Sequence, residues 1–99
     1  MIDLNSLSKK AYEIAEKRYR NNGHIKSDTL SMLKHCASEV VEAVEANREN
    51  RQDDFKLELG DIIMCVLIIC GKNKIDIETI LNDVQKKNTD RANKIGDKL

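Results

Sequence analysis

Apolar residues recur at a helical period along most of this chain. Leu4, Leu7, Ala11, Ile14 and Ala15 share one face of a first helix, with Asp3 or Asn5 as its N-cap. Lys9, Lys10, Glu13, Glu16 and Lys17 fall on the opposite, solvated face. Asn21-Asn22-Gly23 is a stop signal, and His24 reads as a loop residue. Ser27, with Asp28 behind it, opens a second helix. Its stripe Leu30, Leu33, Ala37, Val40, Val41 and Val44 is expected to face the core. The polar run 47–52 reads as a loop or a frayed end. Asp53 or Asp54 then restarts a helix that is almost wholly apolar from Ile62 to Cys70. A helix that is hydrophobic all round is expected to be buried all round. Gly60 costs about 1 kcal/mol in an exposed helix, which predicts a close approach by another helix or a ligand. Gly71 is expected to close the helix, with Lys72 and Lys74 at the negative end of its dipole. Asp76 caps a last helix whose inward stripe is Ile77, Ile80, Leu81 and Val84.

Composition sharpens this into a fold class. The chain has 99 residues, no proline, four glycines and 34% charged residues. That suits long helices with short joints and argues against a sandwich or barrel. The expectation is an all-α, four-helix, bundle-like protomer forming a single domain over residues 1–99. A chain this short buries only part of its surface, so a homo-oligomer sharing one core through the apolar third helix is expected. Lys plus Arg balances Asp plus Glu at 17 each, and the aromatics are two Tyr and one Phe. Without a basic cluster or a set of stacking rings, the chain is not expected to bind nucleic acid. The three cysteines have no CxxC spacing and read as buried thiols. The N-terminus has no secretory pattern. The run from Ile62 to Cys70 is far short of the roughly 20 residues a membrane span needs. A cytoplasmic protein without a membrane partner is expected.

Candidate chemistry lies in two acidic pairs. Glu39 and Glu42 border the stripe of the second helix, and Glu58 and Asp61 stand at the mouth of the apolar run. Residues three apart share a helix face, and antiparallel packing of the second and third helices brings both pairs together. Carboxylates at close range repel and protonate unless a cation neutralises them. Hard oxygen ligands select Mg²⁺ or Mn²⁺ over zinc, and Mg²⁺ commonly bridges to substrate phosphates. A di-iron bundle needs Glu-x-x-His, and neither His24 nor His35 has a Glu three residues before it. Glu-x-x-Glu alone is unspecific, since Glu13/Glu16 and Glu42/Glu45 repeat it. His35 stands one turn before Glu39. The stripe of the last helix continues to Asn88 and Arg91. Either the helix has left the core there, or these residues meet an anion, for which the forked guanidinium is suited.

Glu39-x-x-Glu42, fifteen residues, then Glu58-x-x-Asp61 resembles the signature of the MazG-like, all-α nucleoside triphosphate pyrophosphohydrolases. Glu58-Leu59-Gly60-Asp61-Ile62-Ile63 looks like that family's acidic-to-apolar helix, and Lys87-Asn88-x-x-Arg91 is similar to its downstream Lys-Asn-x-x-Arg segment. The resemblance covers roughly Leu30 to Arg91. Where the family often reads Lys-Leu-x-Glu-Glu, this chain has His35-Cys36-Ala37-Ser38-Glu39. The resemblance implies hydrolysis of a nucleoside triphosphate between its α and β phosphates, dependent on Mg²⁺ with Mn²⁺ as an alternative. Glu39, Glu42, Glu58 and Asp61 would hold the metal, and one of them, of the first pair, would activate water. Lys87, Asn88 and Arg91 would bind the substrate phosphates. A homodimer or homotetramer is implied as well. The competing readings are a helical interaction module with solvent-facing acids, and a nucleotide-binding sensor on the same fold.

Overall fold

The structure is a computed structural model and describes residues 2–22 and 28–95. Gly23, His24 and Ser27 therefore lie outside the described residues. Four helices, α1 (Leu4–Asn22), α2 (Thr29–Arg48), α3 (Gln52–Lys72) and α4 (Ile77–Ile95), follow one another, with no strand among the described residues. None of these helices is long and apolar enough to cross a membrane.

Asp3 rather than Asn5 caps α1. Its carboxylate accepts the N–H groups of Asn5 and Ser6 at 3.1 and 3.2 Å, satisfying donors that the first turn leaves free. Asn5 is used differently, as a brace to α4. Its side chain donates to Asp76 Oδ1 at 2.9 Å and accepts the Ile77 N–H at 2.9 Å. The Leu4 N–H donates to Glu78 at 3.1 Å, so the starts of α1 and α4 are tied side by side. Asp28 is the cap of α2, accepting the Ser31 N–H at 2.8 Å.

The joint between α2 and α3 is tighter than the polar run 47–52 suggested. Asn50 adopts the left-handed conformation at φ 58°. The Arg51 N–H then reaches back to the Ala46 carbonyl at 2.9 Å, which is the Schellman solution to a helix end. Arg51 also bonds Glu49 and Asp54, each at 2.9 Å. Asp53 and Asp54 occupy the first turn of α3 instead of capping it. The same device ends α3, with Lys74 at φ 55° and the Ile75 N–H bonded to the Cys70 carbonyl at 2.9 Å. Gly71 is thus not the terminator expected from the sequence. A Cβ there would lie 2.6 Å from the Ser8 carbonyl oxygen and 2.8 Å from Tyr12 Cβ, so Gly71 is where α1 crosses α3. Gly60, where a close neighbour was expected, has nothing within 4 Å of a built Cβ.

α3 is the centre of the protomer, packed on one side by α1 and on the other by α2, while α4 meets α1. Ala11 and Ala15 of α1, with Ser8 donating its hydroxyl to the Leu67 carbonyl, bury the α1–α3 seam. Leu67, Cys70 and Ile77 form a cluster flanked by Leu4 and Leu7.

Three expectations about burial are corrected by the structure. The inner face of α2 is Met32, Cys36, Glu39, Ala43 and Ala46, not the Leu30–Val44 stripe. Val41 is 56% exposed, and Leu30, Leu33, Val40 and Val44 are exposed as well. Small residues allow a close helix–helix approach, so the Cys/Ala face takes the contact and the Leu/Val face is left outside. Likewise α3 is not buried all round within one chain, since Ile63 is 59% exposed and Met64 and Val66 are exposed. Only Ile77 of the α4 stripe is buried, with Ile80, Leu81 and Val84 exposed.

Candidate metal centre

The α2–α3 seam carries the acids. Ala43 and Ala46 bring the helices close near the turn, and Glu39 follows one turn further along the same inner face. From α3, Glu58 and Asp61 come in on successive turns. One carboxylate oxygen from each of Glu39, Glu58 and Asp61 lies within 4.8 Å of the others. Glu39 is the most enclosed, its side chain only 12% exposed. Glu58 is half-buried and Asp61 is exposed. Glu42 is exposed on the outer side of α2 but reaches the Glu58 carboxyl.

The electrostatics record this crowding. The carboxyl of Glu58 titrates above its ordinary value. The main cause is Glu39, within hydrogen-bonding range, where a shared proton relieves two facing negative charges. Burial and the charges of Glu39 and Asp61 act in the same direction, and the contact with Glu42 opposes them. Glu58 Oε2 is buried with no hydrogen-bond partner. An acceptor left unmatched at a cluster of like charge costs stability in the free protein. A hard divalent cation supplies what it lacks, because every donor in the group is a carboxylate oxygen. The residues present fit such an ion.

His35 Nε2 stands 3.1 Å from Glu39 Oε1, an i,i+4 contact on α2. Ser38 turns its hydroxyl back to the His35 carbonyl at 2.7 Å. Lys87, Asn88 and Arg91 are exposed on α4. Among the described residues no hydrogen bond or ion pair joins them to the acids, and α4 is anchored through its first turn against α1. Sequence reasoning overlooked the neighbourhood of Cys36 and Cys65, whose thiols meet beside the acids. The signal for it is their place on the two inner faces, which only the α2–α3 register brings out.

The described residues are thus all-helical, with acids from both arms of one helical hairpin brought together. The chain belongs to the MazG nucleotide pyrophosphohydrolase domain family, whose family model matches residues 27–96, the span of α2, α3 and α4. Comparison with curated proteins and with solved structures gave no match.

Proposed function

We propose that this chain is a Mg²⁺-dependent nucleoside triphosphate pyrophosphohydrolase, cleaving between the α and β phosphates to release a monophosphate and pyrophosphate. The supporting observation is the convergence of Glu39, Glu58 and Asp61 oxygens within 4.8 Å, on helices inside the span that the family model matches. Glu39, Glu42, Glu58 and Asp61 would hold Mg²⁺, or Mn²⁺ in its place. When bound, the ion neutralises phosphate charge and acidifies water.

The chain's own groups do the rest. A carboxylate of the Glu39/Glu42 pair orients the attacking water and accepts its proton. Glu58, already inclined to hold a proton, loses that inclination when a cation replaces the like-charge repulsion around it. Lys87, Asn88 and Arg91, with donors turned to solvent, bind phosphate oxygens and stabilise the charge that develops on them. A homodimer or homotetramer belongs to this reading. Its support is that Leu57 and Ile63 of α3, Val41 of α2 and Leu81 of α4 are exposed large apolar residues, the kind of surface that interfaces cover. A cytoplasmic location belongs to this reading as well.

The test is product analysis with a panel of ribo-, deoxyribo- and oxidised nucleoside triphosphates and Mg²⁺. Pyrophosphate with a monophosphate, abolished in Glu58→Gln and by chelator, is the expected result. Orthophosphate as product would mean that a different bond is cleaved. Nucleotide and Mg²⁺ binding without turnover would identify a sensor. Neither binding nor turnover would leave a helical interaction module.

A further inference from the structure

The seam that carries the acids also carries two thiols. Cys70 is buried in the separate cluster with Leu67 and Ile77, whereas Cys36 of α2 and Cys65 of α3 are both half-buried. The inner face of α2 is spaced alternately four and three residues apart through Met32, Cys36, Glu39, Ala43 and Ala46. On α3 the half-buried series Phe55, Glu58, Ile62, Cys65 and Ile69 has the same rhythm. The tight turn at Glu49–Arg51 makes the two helices antiparallel neighbours, so Ala43 stands level with Glu58 and Cys36 with Cys65. The Cys65 thiol accordingly lies beside that of Cys36. Cys36 is one turn before Glu39, and Cys65 is one turn after Asp61.

We propose that Cys36 and Cys65 are a disulfide-forming pair, whose closure clamps α2 to α3 one helical turn from the carboxylates. The oxidant is a small-molecule disulfide. One protein thiolate attacks it, forming a mixed disulfide and expelling one small thiolate. The second protein thiolate then attacks the protein sulfur of that bond and expels the other. Two electrons pass from the cysteines to the small disulfide, and the two thiol protons end on the released thiols. Burial first, then the neighbouring Cys36 and Glu39, pushes the Cys65 thiol up to about 11. Closure is set by redox equilibrium between the pair and the small disulfide rather than by a fast reactive thiolate. A disulfide holds its Cβ atoms about 3.8 Å apart, which fixes the helix separation where Glu39 meets Asp61. Its effect on divalent-ion binding rests on the function proposed above.

The experiment equilibrates the full chain with glutathione and glutathione disulfide, quenches with acid and maps cross-links by unreduced mass spectrometry. One internal Cys36–Cys65 link is expected, lost in Cys36→Ser and in Cys65→Ser and retained in Cys70→Ser. Glutathione adducts without an internal link, or a link that involves Cys70, would overturn the pairing. In a second arm, Mn²⁺ is titrated into reduced and oxidised protein by electron paramagnetic resonance. Oxidised and reduced protein should differ in Mn²⁺ affinity by at least about fivefold, the lower end of ordinary coupling between sites. Equal affinity would overturn the clamp's action on the acids. A Cys36–Cys65 link in a protein whose reduced form never binds Mn²⁺ would support the pair and count against the proposed function instead.

Discussion

Glu58 faces Glu39 across the α2–α3 seam, close enough to share a proton, while Glu58 Oε2 is buried with no hydrogen-bond partner. That pairing makes the seam a place of stored repulsion. The small residues that bring the helices together also hold the two carboxyls against each other.

Relief of that repulsion is measurable. Mg²⁺ or Mn²⁺ should stabilise the wild type by about 2.7 kcal/mol at a hundredfold excess over Kd, and so raise its melting temperature in a concentration-dependent way. Glu58→Gln should melt no lower than the wild type without metal, because it removes a facing charge, and should lose most of the metal-induced shift. Differential scanning calorimetry with and without chelator reads both. A wild type that Mg²⁺ leaves unchanged would remove the cation from the account.

The same pair predicts a pH dependence. A carboxyl whose folded pKa lies above its unfolded value binds its proton more tightly in the folded state. Its stabilising contribution is complete below the unfolded pKa and is lost as pH rises through the folded one. For Glu58 that window starts at the ordinary glutamate value of 4.5 and extends upward. Asp3, lowered chiefly by the Ser6 N–H, and Asp76, lowered chiefly by Asn5, have the opposite sign. Their contribution is present above 3.8 and is lost as pH falls below it. Metal-free urea titrations should therefore show wild-type stability falling from pH 5 towards neutrality relative to Glu58→Gln. Parallel curves for the two proteins would refute the assignment.

Helix existence and the acidic pairs were legible because each left a local mark. Asp3 and Asp76 stand at helix starts, and Glu58 and Asp61 are out of place at the mouth of an apolar run. The buried face of α2 was not legible. Two apolar stripes of the same period run along it, one of Cys and Ala and one of Leu and Val, and period alone does not say which is inside. Close approach decided it, since the smaller residues let α3 come nearer. The thiol pair required the register of two helices, and the register depends on Asn50 at positive φ, a residue that first reads as loop. Lys87, Asn88 and Arg91 carry no packing signal, which fits their exposure.

The two helical glycines should answer substitution in opposite directions. Gly71→Ala places a Cβ 2.6 Å from the Ser8 carbonyl oxygen. Backbone on both sides of the contact must then shift, costing about 1–3 kcal/mol, as overpacking typically does. Gly60→Ala meets nothing within 4 Å and should gain about 0.4–1 kcal/mol from its smaller unfolded-state entropy and better helix propensity. Chemical denaturation of both variants checks the pair. Should Gly60→Ala be more stable yet bind nucleotide more weakly, the open space beside Glu58 and Asp61 is used by substrate.

The exposed apolar faces make a separate prediction about assembly. Val41 and Ile63 are 56% and 59% exposed on neighbouring helices. Val41→Glu and Ile63→Glu should change little in an isolated protomer, because neither side chain is in its core. If copies share these faces, each variant should instead shift the mass measured by light scattering towards the monomer. A wild type that is already monomeric at high concentration would show that the faces are covered by something other than a second copy.

Arg91 separates phosphate binding from metal binding. It is exposed on α4, with no described bond to the acids, so Arg91→Ala should leave the fold and the affinity for Mn²⁺ as they are. On the proposed reading it should lower kcat/KM for a nucleoside triphosphate by roughly a hundredfold, the usual scale for removing one donor that stabilises developing charge. Arg91→Lys keeps the charge but not the fork, and should recover only part of that loss. Unchanged turnover in Arg91→Ala would assign the end of α4 to solvent and move the search for phosphate contacts to α1 and to Lys72.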